Sequence, residues 1–198
     1  MSTPGSQTLM RETLCAEETI MTNCIYSITI TRLLTGTLLL AGMAPLSAVY
    51  ALDTTDREFI QESVTGGKAE EALGQIASQK SSLDEVRDFG SRMIEEHSEL
   101  NRNLVALAKT DGLTISEELP TEKTKEIERL RLLPEAEFNR EYTSKMVSDH
   151  QKNIARFETR AKETDDQEFK RELQKALPVL RGHLIHAEKI KAAALHDS

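Results

Sequence analysis

Three observations predict an all-α chain, a four-helix bundle. Ala, Leu, Glu, Lys, Gln and Arg are abundant, while aromatic residues make up only 4% of the 198 residues and Trp is absent. These residue types favour helix over sheet. From Leu52 onward the apolar residues recur with helical period. Start and stop residues then divide that stretch into long segments.

The elements follow in order. Thr55-x-x-Glu58, Ser82-x-x-Glu85 and Thr164-x-x-Gln167 read as capping boxes, each just before an amphipathic run. Asp111-Gly112 ends the second run, Gly supplying the left-handed residue that a helix C-terminus uses. Pro134 opens the third, where its missing N–H leaves no bond unmade. The predicted helices are 54–80, 83–110, 134–162 and 166–195. Pro178 falls inside the last and predicts a kink. The second and third are joined by roughly twenty residues that include Pro120 and a short helix at 121–132, whereas the other two connections are brief. Short, long, short is the pattern of two helical hairpins joined by a crossover, a ferritin-like arrangement; an up-down-up-down bundle with a decorated loop is the alternative.

Residues 1–51 differ in kind. The run 33–49 carries no charge, Arg32 precedes it, and Val49-Tyr50-Ala51 fits a signal-peptidase site with cleavage after Ala51. The run is interrupted by Gly36, Gly42 and Pro45 and is short for a spanning helix. A start at Met21 would leave a leader of ordinary length. Both cysteines, Cys15 and Cys24, fall in this leader, so the product 52–198 would have no disulfide. The expected product is periplasmic or otherwise extracytoplasmic, one bundle domain with no stable membrane span after cleavage.

The net charge of −8 argues against nucleic acid, which needs a basic surface. The sequence has no Ser-His-Asp arrangement, no cysteine nucleophile after residue 51, no Gly-rich phosphate loop and no carboxylate pair suited to acid–base work. An enzyme is therefore the least supported class, with a mononuclear metal oxidase as the form still open. A protein partner is not specified.

A brief internal repeat draws attention to the histidines. Phe89-x-x-x-Met93-Ile94-x-Glu96-His97 in the second helix matches Tyr142-x-x-x-Met146-Val147-x-Asp149-His150 in the third. At 100° per residue, His97 shares its face with Val86, Met93, Leu100 and Leu104, and His150 with Met146, Ile154, Phe157 and Ala161. His183 shares its face with Phe169, Ala176, Leu180 and Ala187. Each of the three sits near its helix midpoint, so the rings should lie at about one level. Glu70 occupies the middle third of the first helix; Glu62 also points inward but about two turns lower. His186 and His196 are expected at the surface, as are Glu96 and Asp149.

Glu70, His97, His150 and His183 thus form a candidate metal set, three imidazoles and a carboxylate, suited to a single copper, zinc or iron ion. Met93 and Met146, one turn away, would add thioether ligands if the ion were copper. The competing reading treats each histidine as a hydrogen-bonded core residue, with Tyr142 or Asn153 as partner, and the methionines as packing.

On the residues Asp56-x-x-Phe59, Gly66-Gly67-x-x-Glu70, Leu73-Gly74-x-x-Ala77, Val86-x-x-Phe89, Met93-x-x-x-His97, Phe138-x-x-x-Tyr142-x-x-x-Met146-x-x-x-His150 and Leu177-Pro178-x-Leu180-x-x-His183-Leu184-x-x-Ala187, the chain resembles a bacterial family named domain of unknown function 4142, grouped with ferritin-like proteins. The likeness runs over roughly residues 56–193. It implies an exported helical bundle and supplies no activity. Glu96 stands where the family favours Asp, and Asn139 where Asp is usual. A ferritin-type di-iron centre needs Glu-x-x-His pairs. The residues three before each histidine are Ile94, Val147, Leu180, His183 and Ala193, so that chemistry is not expected. The expected function is an exported bundle holding one transition-metal ion in its core; the alternative is a non-catalytic envelope interaction or stress-protection bundle with structural histidines.

Overall fold

The computed structural model describes residues 51–194, which form five helices and, among the described residues, no strand. These are α1 (Thr54–Lys80), α2 (Asp84–Thr110), α3 (Thr121–Leu132), α4 (Glu135–Glu163) and α5 (Gln167–Ala194). The four long helices begin and end within one residue of the predicted spans, and α3 is the short helix expected at 121–132. Helix α5 continues through Pro178. The leader through Tyr50, with Met21, both cysteines and the run 33–49, lies outside the described residues, as does His196. Among the described residues no helix is long and apolar enough to cross a membrane.

The helix ends are made differently from the three predicted capping boxes. Asp53, not Thr55, caps α1: its Oδ1 accepts the Asp56 N–H at 2.6 Å. Leu83 stands at the N-cap of α2 with no side-chain bond, and Ser82 instead donates its N–H and its hydroxyl to Glu135, both at 2.6 Å. At α5 the acceptor is Asp166, whose Oδ1 takes the Phe169 N–H at 2.7 Å, while the Thr164 hydroxyl donates to Asp56 at 2.9 Å. A Ser/Thr-x-x-Glu string fixes a cap only where the chain enters the helix there, and aspartate competes well for that place. The Asp111-Gly112 stop holds as predicted. Gly112 has φ 72°, its N–H bonds the Lys109 carbonyl at 3.0 Å, and the Leu113 N–H reaches back to Ala108 at 2.9 Å, a Schellman closure.

Helix directions follow from which residues meet. Gly74 backs onto Gly90 and Gly67 onto Asn101, so α1 and α2 are antiparallel. Glu158 with Arg181, and His150 with His183, make α4 and α5 antiparallel. Glu85 with Lys189 and Glu96 with His183 do the same for α2 and α5; Asp56 with Arg160 and Glu70 with His150 do so for α1 and α4. Across the interior, Phe89 meets Tyr142 and His97 meets His150, with ring centroids 6.1 and 5.6 Å apart. Tyr142 follows Phe89 by the same 53 residues as His150 follows His97, so α2 and α4 run parallel. The sequence repeat therefore places its matching residues opposite one another. Helix α3 rests on α1 and α4, burying Ile127 and Leu130 and bonding through Lys145 to Glu126 at 2.9 Å and Lys80 to the Arg131 carbonyl at 3.0 Å.

A close backbone approach joins α1 to α2. A Cβ on Gly74 would stand 2.6 Å from the Gly90 carbonyl oxygen, and one on Gly90 the same distance from that of Gly74. Only glycine at both positions admits this crossing.

The apolar interior is in two parts. One cluster gathers Leu73, Val86, Phe89, Met93, Phe138, Tyr142, Met146 and Ile190; the other gathers Leu52, Phe59, Ile60, Val64, Leu104, Phe157, Phe169 and Leu173. On α2, α4 and α5 a buried histidine lies between the two sets near mid-helix, His97, His150 and His183, joined on α2 by the buried Asn101. A polar layer thus crosses the core between two greasy ones.

Candidate metal centre

The three predicted rings do meet in this layer. His97, His150 and His183 are 4%, 0% and 0% exposed, and one ring nitrogen from each lies within 4.8 Å of the others. Centroids are 5.6 Å apart for His97–His150 and 5.1 Å for each of the other two pairs. Glu70 joins from α1, also buried, with Oε2 at 3.1 Å from His97 Nε2 and Oε1 at 4.0 Å from His150 Nδ1. The three histidines singled out from the sequence come together from α2, α4 and α5, and Glu70 of α1 adjoins them through His97.

The outer faces of two rings are fixed. His150 Nδ1 stands 2.9 Å from the Met146 carbonyl oxygen, and His183 Nε2 stands 2.7 Å from Glu96 Oε2. Both partners accept, so both of these nitrogens must carry hydrogen. A neutral imidazole has one N–H. The inner nitrogens, His150 Nε2 and His183 Nδ1, are 3.2 Å apart and would then present two lone pairs to each other. A third proton would relieve this only by making one ring an imidazolium. Burial opposes that: His183 is depressed to about 3, by desolvation first and then by the nearby rings, against the pull of Glu96.

His97 and Glu70 are imperfectly paired as well. Although 3.1 Å apart, the two are misaligned for a hydrogen bond, and His97 Nε2 is buried without a partner. Desolvation and the neighbouring His150 depress His97 to about 3. Burial pushes the Glu70 carboxyl above its ordinary range, against the opposing pull of His150, Lys123 and Lys145. A buried polar atom without a partner is expensive, and natural cores contain few.

A cation placed among the three rings would meet the facing lone pairs of His150 Nε2 and His183 Nδ1. Two nitrogens each about 2.05 Å from one ion at the tetrahedral angle stand about 3.3 Å apart. The 3.2 Å between His150 and His183 already matches that spacing. The outer bonds are those that orient metal-bound imidazoles, a carbonyl on one ring and a carboxylate on another.

Other expectations are revised. Glu96, assigned to the surface, is half-buried and bonds His183; its helix angle lies off the core, but its length carries the carboxylate across to α5. Arg92 Nε also donates to it at 2.8 Å. Burial alone would raise the Glu96 carboxyl, yet the bond from Arg92 and the contact with His183 outweigh it and hold the group below its usual range. Glu62 is exposed and ion-paired with Arg156, not inward. Tyr142 is fully buried and stacked on Phe138 with centroids 5.4 Å apart, but its hydroxyl has no partner; the Met146 carbonyl, not Tyr142 or Asn153, holds His150. Burial, then the Glu70 charge, pushes the Tyr142 phenol up. Met93 and Met146 are fully buried members of the first apolar cluster. His186 is half-buried with its ring edge-on to Phe89, centroids 5.0 Å apart, rather than free at the surface.

One feature had no signal in the linear sequence. A cavity of about 650 Å³ opens beside α1 with Glu70 and His97 on its wall, and with Ser116, Pro120, Lys123 and Lys145 around it. Gly66 lines it, and a Cβ there would meet nothing within 4 Å. This cavity runs from the buried carboxylate to the half-buried Lys123 and Lys145. It gives the polar layer a way in.

A family model described as Domain of unknown function (DUF4142) matches residues 41–190. Among curated proteins and among solved structures, none matches the chain. The family match spans the whole polar layer and both apolar clusters, and the chain belongs to the DUF4142 family.

Proposed function

We propose that this protein is an exported, ferritin-like bundle that holds one transition-metal ion between Glu70, His97, His150 and His183. The observation that carries the reading is the facing pair His150 Nε2 and His183 Nδ1 at 3.2 Å, both outer nitrogens already committed to acceptors. Three imidazoles and one carboxylate suit zinc, iron or copper in the divalent state. Two antiparallel pairs with parallel α2 and α4 support the crossover arrangement over an up-down-up-down order, in which consecutive long helices would run antiparallel. The small-residue site ending at Ala51 and the charge-free run before it support export.

The role is that of a binder rather than a catalyst, since the residues offer a closed set of ligands and no nucleophile. The test is metal analysis of protein purified without chelator, with His97→Ala, His150→Ala and His183→Ala beside it. About one ion per chain, lost in each variant, is expected. Equal metal content in all four proteins, or none in the parent after exposure to zinc, iron and copper salts, would leave the histidines as structural residues of a non-catalytic envelope protein.

A further inference from the structure

Leu52 is anchored like a chain terminus. Its side chain is 2% exposed, within the second apolar cluster. Its nitrogen donates to Asp111 Oδ2 at 2.6 Å, and its carbonyl accepts from Arg57 Nε at 3.0 Å. Ala51, one residue earlier, is exposed. Leu52 is the residue that follows the small-residue motif Val49-Tyr50-Ala51.

Asp111 is a prepared acceptor. It is the C-cap of α2, held by the Schellman closure through Gly112, at the end of a helix where exposed carbonyls favour positive charge. A peptide N–H brings one hydrogen and no charge to it. An α-ammonium in the same place brings three hydrogens and a full charge, and bonds between ionised partners are shorter and about twice as strong as neutral ones. The 2.6 Å separation is already at the short end for nitrogen and oxygen.

We infer that cleavage after Ala51 converts the Leu52 nitrogen into an α-ammonium that ion-pairs with Asp111, so that processing completes the bond tying the start of α1 to the end of α2. The other charged groups close by are Arg57, Asp53 and Arg160, the last two 3.4 Å apart across α1 and α4. The inference rests on the export reading and is independent of the metal.

The α-ammonium's proton is favoured in the folded state, so its pKa is raised. Its contribution is complete below the unfolded value and disappears as pH rises through the folded one. The experiment exports the full chain in a bacterial host, sequences the N-terminus of the product, and follows α-amine reactivity and Tm from pH 6 to pH 11. We expect Leu52 first, an α-amine titrating at least one unit above the ordinary value of about 7.8, and a return to that value in Asp111→Asn. Raising the pH through the shifted value should also lower the parent's Tm by about 3 °C more than that of Asp111→Asn. Chain that stays unprocessed inside the cell would overturn the export reading itself. A product cut elsewhere, or a Leu52 amine with ordinary titration in the folded parent, would overturn this pairing alone.

Discussion

His183 lies between two unlike neighbours: its Nε2 is 2.7 Å from the Glu96 carboxylate and its Nδ1 is 3.2 Å from His150 Nε2. The carboxylate demands a hydrogen on the first nitrogen, which leaves the second with its lone pair directed at another ring. Glu96 thereby selects the tautomer that would suit the proposed metal ion.

Replacing Glu96 should therefore weaken metal binding without removing a ligand. Partners of this kind are worth about 10–100-fold in metal affinity. For Glu96→Gln we expect a loss in that range, measured by competition with a chromophoric chelator. An unchanged affinity would mean that Glu96 merely satisfies His183.

The metal-free protein should lose stability in mild acid. His97 and His183 titrate at about 3 when folded, well below the unfolded value near 6.5. Between those limits the unfolded chain binds protons that the native one refuses, so stability falls as pH drops from 6.5 toward 3 and is level above 6.5. The slope is about 1 kcal/mol per pH unit for each histidine. Glu70, raised by burial, works in the opposite direction, its protonated form being favoured by the fold. Urea titrations at pH 7 and pH 5 on chelator-treated protein should give the lower value at pH 5, and His183→Gln should flatten the difference. Equal stabilities in the parent, together with no change of the difference in His183→Gln, would show that His183 takes up protons in the folded chain as it does in the unfolded one.

Two glycines on α1 should respond oppositely to alanine. At Gly74 the new methyl would meet the Gly90 carbonyl at 2.6 Å, backbone against side chain with no flexible atom to yield. Overpacking of this sort costs about 1–3 kcal/mol. At Gly66 the methyl enters open cavity, and the gain in helix propensity is about 0.5–1 kcal/mol. Chemical denaturation of both variants measures the contrast. A stabilised Gly74→Ala would contradict the close α1–α2 crossing.

Tyr142→Phe removes a hydroxyl that is buried and without a protein partner. An unsatisfied buried group costs about 1–3 kcal/mol, so Phe should be at least as stable as Tyr. Thermal melts suffice. A clear loss would reveal that the hydroxyl serves something in the polar layer, which returns Tyr142 to the supporting role the sequence suggested.

Much of this was legible in the linear chain because helices are short-range objects. Gly112, Pro134 and the apolar period place the long helices to within a residue of where they are. The inward aim of His97, His150 and His183 follows from the same period, and their shared level from their mid-helix positions. What escaped depends on reach and on neighbours. Glu96 lies off the core face by angle alone, and only the proximity of α5 shows that its side chain crosses to His183. Glu62 has an inward angle on paper, yet the cavity and Arg156 leave it at the surface. The Ser82 and Thr164 motifs have the right letters for caps, but their hydroxyls are drawn to Glu135 and Asp56 on other helices.

The polar layer draws Glu70 and His97 from α1 and α2, and His150 and His183 from α4 and α5. Each half of the molecule carries two of the four groups and neither carries three. No isolated half can reproduce the centre, because the pocket comes into being only when the halves close on each other. An ion seated there would act as a rivet through the seam, and prising the halves apart would mean breaking coordinate bonds as well as parting oily surfaces.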